Sequence, residues 1–249
     1  MKLIVVSDLH ISSPNDALYT SLLFLLKEEI KKEDVFVIAG DLFDLFVGGK
    51  QIFIDRYSDF FSELKRLSSQ GMRIFYIEGN HDFLIKPAFK NIANISVISK
   101  ELTLELGGKK FFFAHGDTVD QKNHRYRLLR CLFRSPLMRL FLALAGGRTV
   151  DNFGNWLSRQ SQKRTVRLLE ELPPEKKEKY RKLYRNFATI KIGANYDYVV
   201  LGHSHDPDEM TFIVANKQGQ YINVGFPPRN KTYLTWTNGD PLIRRETFK

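Results

Sequence analysis

The stretch Leu3-Ile4-Val5-Val6-Ser7-Asp8-Leu9-His10 sets four apolar, mostly β-branched residues directly before a carboxylate and an imidazole. The arrangement recurs. Val35-Phe36-Val37-Ile38-Ala39 runs into Gly40-Asp41, and Arg73-Ile74-Phe75-Tyr76-Ile77-Glu78 into Gly79-Asn80-His81-Asp82. Lys110-Phe111-Phe112-Phe113-Ala114 runs into His115-Gly116-Asp117, and Tyr198-Val199-Val200-Leu201 into Gly202-His203-Ser204-His205. Short apolar runs of this kind read as buried strands. Five of the six histidines therefore stand where strands end, the position at which open α/β sheets bind ligands.

Working outward, helical spacing of Leu18, Leu22, Leu25, Leu26 and Ile30 fills the gap between the first two strands. Phe53, Tyr57, Phe60, Phe61, Leu64 and Leu67 do the same before the third, with Gly71 closing that helix. A strand–helix–strand–helix–strand series predicts an α/β fold with a parallel sheet and right-handed crossovers. Leu102-Thr103-Leu104-Glu105-Leu106 and the 110–114 run form a hairpin across Gly107-Gly108. After residue 201, runs at 210–215, 220–224, 231–237 and 242–248 predict one antiparallel series, with turns at Lys217-Gln218-Gly219 and Asn238-Gly239-Asp240.

Residues 118–194 differ in kind. They hold 18 Lys and Arg against 6 Asp and Glu, whereas the rest of the chain holds 20 against 22, so they carry the whole positive excess behind the net charge of +10. Tyr126, Leu129, Phe133, Leu137, Leu140, Phe141 and Leu144 mark one helical face, and Arg127, Arg130 and Arg134 another. Ser135-Pro136 can end one helix and start the next. Two further helices are predicted at 156–172 and 175–190, separated by Pro173-Pro174. The segment reads as a basic helical insertion over the strand ends of a core formed by 1–117 and 195–249. It predicts an acidic partner. Its leucine and phenylalanine content suits an acylated anion or a membrane surface better than the aromatic-interleaved groove of a nucleic-acid binder. A nuclease and a non-catalytic scaffold are the alternative readings, though every ligand position is filled. The lone Cys131, among leucines, reads as a buried hydrophobe and excludes a Cys-rich zinc module. The first apolar run is too short for a leader or a span, which reads as a cytoplasmic protein.

Phosphoesters resist attack because their oxygens are negative and water is a poor nucleophile. Two divalent cations about 3.5–4 Å apart address both difficulties. Asp41, in the central string, is the candidate bridging carboxylate. Asp8, His10 and His205 complete one site; Asn80, His115 and His203 complete the other. In Asp8-x-His10 and His203-x-His205, an extended backbone would turn both outer side chains to one side. His81 is left free to steady developing charge or protonate a leaving oxygen, with Asp82 orienting its ring. A nitrogen–oxygen ligand set without thiolate favours manganese, with iron or zinc as alternatives. Asp44, Asp117 and His124 read as supporting or surface groups.

These strings, in this order, resemble the calcineurin-like metallophosphoesterases. The resemblance implies a four-layer αββα sandwich with a two-metal centre at the positions just named. Gly40-Asp41-Leu42-Phe43-Asp44-Leu45-Phe46, Asp82-Phe83-Leu84-Ile85, His115-Gly116-Asp117-Thr118 and the helical insertion are similar to the UDP-2,3-diacylglucosamine pyrophosphohydrolases of lipid A synthesis. That likeness implies cleavage of an anionic lipid-nucleotide to UMP and 2,3-diacylglucosamine 1-phosphate. It also implies a lid formed by the insertion and a peripheral place on the inner membrane. Asn80, His81, Asn123, Tyr126, Arg159, Ser161, Arg164, Thr165 and His203 are the substrate contacts it suggests. Two departures stand out: His81 and Asp206 occupy positions where many of those enzymes carry arginine. Nothing in the pattern sets an oligomeric state.

Overall fold

The computed structural model describes residues 1–152, 154, 173–214 and 217–249. In chain order the elements are β1 (Lys2–Val6), α1 (Ala17–Phe24, continued by a π-turn at Leu25–Glu29), β2 (Val35–Ile38), β3 (Phe46–Val47), α2 (Gln51–Arg56), α3 (Ser58–Ser69), β4 (Arg73–Ile77), β5 (Asp82–Phe83), β6 (Ile95–Ile98), β7 (Glu101–Leu106) and β8 (Lys109–Ala114). There follow α4 (His124–Phe133), α5 (Pro136–Leu144), α6 (Pro174–Gly193), β9 (Tyr198–Leu201), β10 (Glu209–Val214), β11 (Lys217–Asn223), β12 (Thr232–Thr237) and β13 (Arg244–Thr247). One sheet has the order β13-β12-β1-β2-β4-β6 and the other β10-β11-β9-β8-β7.

Alternation along the strands decides the layering. Leu3, Val5, Val35, Val37 and Trp236 face Phe111, Phe113, Tyr198 and Val200 between the two sheets. Their neighbours Ile4, Val6, Phe36 and Ile38 turn the other way, onto Leu18, Leu22, Phe60 and Leu64 of the first helical layer. On the far side Phe112, Ala114, Val199, Leu201 and Tyr221 meet Tyr184, Ala188 and Ile192 of α6. Three apolar seams thus separate four layers, α–β–β–α. The outer helix α6 comes from the segment read as insertion, and its apolar stripe supplies the fourth layer.

The C-terminal strands depart from the single antiparallel series. β10 and β11 pair antiparallel, but β11 joins β9 in parallel. β12 crosses to the other sheet, where it pairs antiparallel with both β1 and β13. Lys217, Gln218 and Gly219 pair with Val214, Ile213 and Phe212, so the residues expected to form a turn at 217–219 belong to β11. The helix expected to run unbroken from Phe53 divides at Tyr57 (φ −114°, ψ 35°) into α2 and α3. There the buried Tyr57 ring stacks 4.1 Å from Phe43 and its hydroxyl donates to the Ile11 carbonyl at 3.2 Å. Half-buried β6 adds an edge strand that the apolar runs leave out.

Ser135 caps α5 by accepting from Met138 N at 3.2 Å, with Pro136 at the first helical position, as the sequence predicts. The pair α4–α5 packs one side only. Phe133 stacks on Phe83, and Leu142 and Val150 enter the core. Arg56 clasps Asp151, and Lys50 Nζ donates to Ala145 O at 2.7 Å. Cys131 is exposed, against expectation, because it lies on the unpacked side with Leu128 and Leu132. The helix predicted at 156–172 lies outside the described residues.

Candidate metal centre

Parallel register brings the five strings to one edge. Val6 pairs with Ile38 and Ile38 with Tyr76, so the chain leaves β1, β2 and β4 at one level. In the second sheet Ala114 pairs with Leu201, placing His115 beside Gly202 and His203. The two sheet ends face each other across the seam.

At that edge the backbone is not extended, as the x-spaced pairs suggested. Asp8, His10, Asp41, His203 and His205 all have left-handed φ, between 47° and 66°. Asp and His tolerate this region better than most residues, but each instance still costs about 1–3 kcal/mol. The reversal turns the outer side chains inward while Leu9 points into the core. Asp8 N donates to Gly40 O at 3.0 Å and His10 N to Asp41 O at 3.1 Å, fixing the loops to one another. Close approach also needs glycine at two points. A Cβ on Gly79 would stand 2.1 Å from Asp41 Oδ1, and one on Gly202 would stand 2.3 Å from Asp8 Oδ2.

The side chains then converge in two groups, Asp8–His10–His205 and Asp41–His115–His203. His10 Nε2 and His205 Nε2 are 3.0 Å apart, and His205 Nε2 is 3.3 Å from Asp8 Oδ1. His115 Nε2 lies 3.0 Å from Asn80 Oδ1, 3.2 Å from His203 Nδ1 and 3.4 Å from Asp41 Oδ2. Asp41 joins the groups. Its Oδ1 accepts from His81 N at 2.9 Å, while Oδ2 is buried without a hydrogen-bond partner among the described residues. That oxygen stands between His10 Nε2 at 3.8 Å and His115 Nε2 at 3.4 Å. An orphaned buried carboxylate oxygen flanked by imidazole nitrogens is the donor set that a pair of divalent cations requires. All seven expected ligands meet here.

Asp44 supports rather than completes these groups. Its Oδ1 is 3.5 Å from His10 Nδ1, the carboxylate–imidazole arrangement that orients a ligating ring. It also approaches His81, and the three form a further group able to hold a cation. Asp82 does not orient His81. Its carboxylate accepts from the backbone N–H of Asp41, Leu42 and Gly79 and from Tyr76 OH, at 2.7–3.0 Å. It therefore ties the second and third strings together. The His81 ring is held instead by Nδ1 donating to the Asp44 carbonyl at 2.8 Å. Ser7, which sequence reasoning passed over, donates to Asp8 Oδ2 at 2.5 Å. Phe226 stacks on His205 at 4.5 Å; no local signal marks it. Asn223, also missed, donates Nδ2 to Gly202 O at 3.0 Å and steadies the last loop.

Burial disfavours a charged ring at His10, His81, His115 and His203, and the neighbours decide the outcome. At His10 burial prevails and the pKa falls; at His203 burial and the nearby His115 lower it to about 4. At His115 the opposing charge of Asp41 outweighs burial and raises the ring to about 10. His81 is raised above 6.5 by Asp41 and Asp44 despite its burial.

The family model described as Calcineurin-like phosphoesterase matches residues 1–207. The chain belongs to the calcineurin-like phosphoesterase family. It is a phosphoester hydrolase, and the family implies divalent metal ions, for which the groups just described are candidate holders. Among similar proteins are the UDP-2,3-diacylglucosamine hydrolase of Vibrio cholerae serotype O1, 26% identical over 213 residues (83% of this chain, 82% of that one), and its namesake from Aliivibrio fischeri, 25% identical with both chains covered in full. Another of that name, from Photorhabdus laumondii, is 34% identical over 140 residues, covering 56% of this chain and 58% of its own.

On this phosphoesterase scaffold residues of α4 and α5 line one side of the edge that carries Asn80 and His81. A cavity of 340 Å³ opens beside Asn80 and His81, and Phe83, Phe133, Met138, Phe141 and Leu142 line its apolar wall. Tyr126 enters it, donating its hydroxyl to Asp117 Oδ2 at 2.6 Å, an oxygen shared with Arg130 Nε. Asn123 is drawn off as the cap of α4, accepting from Tyr126 N at 3.1 Å. Exposed His124 starts that helix. Arg159, Ser161, Arg164 and Thr165 lie outside the described residues. Asp206 is clasped by Arg181 (2.6 and 2.9 Å), and Asp208 by Arg185 (2.9 and 2.6 Å). Arginines one turn apart on α6 thus anchor the chain just after His205.

Proposed function

We propose that this hydrolase cleaves the pyrophosphate of UDP-2,3-diacylglucosamine, releasing UMP and 2,3-diacylglucosamine 1-phosphate. The observation that carries the reading is the apolar cavity opening beside Asn80 and His81, which offers an acyl chain a dry wall next to the phosphoryl chemistry. Asp8, His10, Asp41 and His205 would hold one cation, and Asp41, Asn80, His115 and His203 the other, with manganese the metal the donor set favours. When bound, such a pair neutralises phosphate oxygens and lowers the pKa of water. Water attacks the α-phosphorus, its oxygen ends on UMP, and the P–O bond to the diacylglucosamine phosphate breaks. His81, biased toward its protonated form, steadies the departing phosphate.

The outer side of α4–α5 supports a peripheral membrane role for the insertion as lid. Leu128 and Leu137 are 73% exposed and Leu144 is 79% exposed, among Arg125, Arg127 and Arg139. Amphipathic basic helices of this kind lie in anionic bilayer surfaces. Among the described residues no helix is long and apolar enough to cross a membrane. Incubation with UDP-2,3-diacylglucosamine and manganese is expected to yield UMP. Hydrolysis of simple aryl phosphodiesters without UMP release would overturn the substrate.

A further inference from the structure

Among the partly buried described arginines of the insertion, Arg134 stands apart. Arg130, Arg181 and Arg185 each have a carboxylate oxygen within 2.6 Å. Arg134, at the C-terminal end of α4, has Glu78 Oε2 at 3.7 Å, and that side chain already accepts from Ile85 N through Oε1. The Arg134 side chain is 14% exposed, its guanidinium lies 5.5 Å from the Phe83 ring, and its Nε is buried without a partner among the described residues. It lines the cavity with Asn80, His81 and Tyr126. Its Nη2 donates at 2.9 Å to the carbonyl of Gly79, the residue before Asn80. A guanidinium taken out of water, with its nearest carboxylate among the described residues 3.7 Å away, is unfavourable unless an anion completes it. Its planar fork matches phosphate oxygens.

We infer that Arg134 is a specificity-determining residue that receives a phosphate of the amphiphilic substrate as its apolar part enters the cavity. The inference rests on the lipid-phosphate reading above and adds the group that recognises the charge. Arg130, spent on Asp117, holds Tyr126 and α4 in place, whereas Arg134 has donor capacity left at the mouth of the site.

Octyl phosphate, titrated calorimetrically into the manganese-loaded full-length protein, is the probe. Arg134→Met is expected to weaken its binding about 10–100-fold, the loss of a charge-assisted hydrogen bond. Arg134→Lys should recover part of the affinity, since a point charge replaces the fork. Metal content and thermal midpoint are read on the same samples. Should the methionine variant fold poorly, the lysine variant decides alone: octyl phosphate affinity equal to the parent's overturns the inference. UMP release by the parent is scored separately. Arg134-dependent binding without UMP release leaves this inference standing and removes the nucleotide substrate. UMP release with both variants binding octyl phosphate like the parent removes this inference alone.

Discussion

Gly79→Ala tests the site without touching a ligand. The added Cβ would stand 2.1 Å from Asp41 Oδ1, 2.6 Å from Asp41 N and 2.8 Å from Asp82 Oδ1. Ordinary heavy-atom contact begins more than about 1 Å beyond the first of these distances. Neither neighbour can yield freely. Asp82 is held by three backbone N–H groups and Tyr76, and Asp41 Oδ1 by the His81 N–H. The least constrained response is withdrawal of the Asp41 carboxylate by about 1 Å, and a displacement of that size costs catalysis on the order of 100-fold. Breaking the His81 N–H bond to a buried carboxylate adds about 1.5–3 kcal/mol of destabilisation. Manganese content by mass spectrometry, urea unfolding and hydrolysis of an aryl phosphodiester would be measured together. The expected result is a folded, less stable protein with lowered metal occupancy and turnover down about 100-fold. Parent-like metal content and turnover would refute the placement of Asp41 at the junction.

Metal affinity should rise with pH. The His115 ring, raised to about 10, carries a proton below that value which a cation must displace, so affinity climbs up to about tenfold per pH unit between roughly 6 and 8.5; calorimetry in two buffers would also detect the released proton. Replacing Leu128, Leu132, Leu137 and Leu140 by glutamine should reduce co-sedimentation with anionic vesicles while moving stability by less than about 0.5 kcal/mol per site, because all four are exposed; unchanged vesicle binding would rule out this face. Phe111→Ala should cost about 3–5 kcal/mol in urea unfolding, since the ring is fully buried, stacked 4.6 Å from Tyr198 and edge-on to Trp236 at 5.0 Å.

What could be read in advance follows from the range over which each feature is encoded. Asp8, His10, Asp41, Asn80, His115, His203 and His205 were legible because each sits beside a buried strand, and parallel register does the rest. The left-handed backbone at five of them was not, since nothing in Asp-x-His says that the strand has already ended. Asp82 was misassigned for a related reason. Adjacency to His81 suggested a ring partner, but three N–H groups from separated segments claim its oxygens. The division of the C-terminal strands between two sheets escaped a periodicity argument because alternation reports a buried face and not which sheet supplies it. In α6 the basic residues masked a short apolar stripe, Tyr184, Ala188 and Ile192, that packs on the core. Arg134 carried no local signal; its meaning arises from Glu78, Gly79 and Phe83, more than fifty residues away.

The edge where the sheets meet is assembled against several local preferences at once. Five non-glycine residues are left-handed. His10 and His205 point ring nitrogens at each other across 3.0 Å, and a buried carboxylate oxygen of Asp41 stays unpaired among the described residues. A cation bound in each group would engage those ring nitrogens and the unpaired oxygen together. Metal binding should therefore stabilise the fold as well as activate it. At free manganese one hundred times the dissociation constant, one site contributes about 2.7 kcal/mol. For a chain of 249 residues, that corresponds to a rise in thermal midpoint of about 5–10 °C. Differential scanning calorimetry of chelated and manganese-loaded protein measures it directly. Asp41→Asn retains the shape but weakens the shared ligand, and should abolish most of the rise. A midpoint indifferent to manganese in the parent, or an equal rise in the variant, would mean that the orphaned oxygen serves the fold and not a metal.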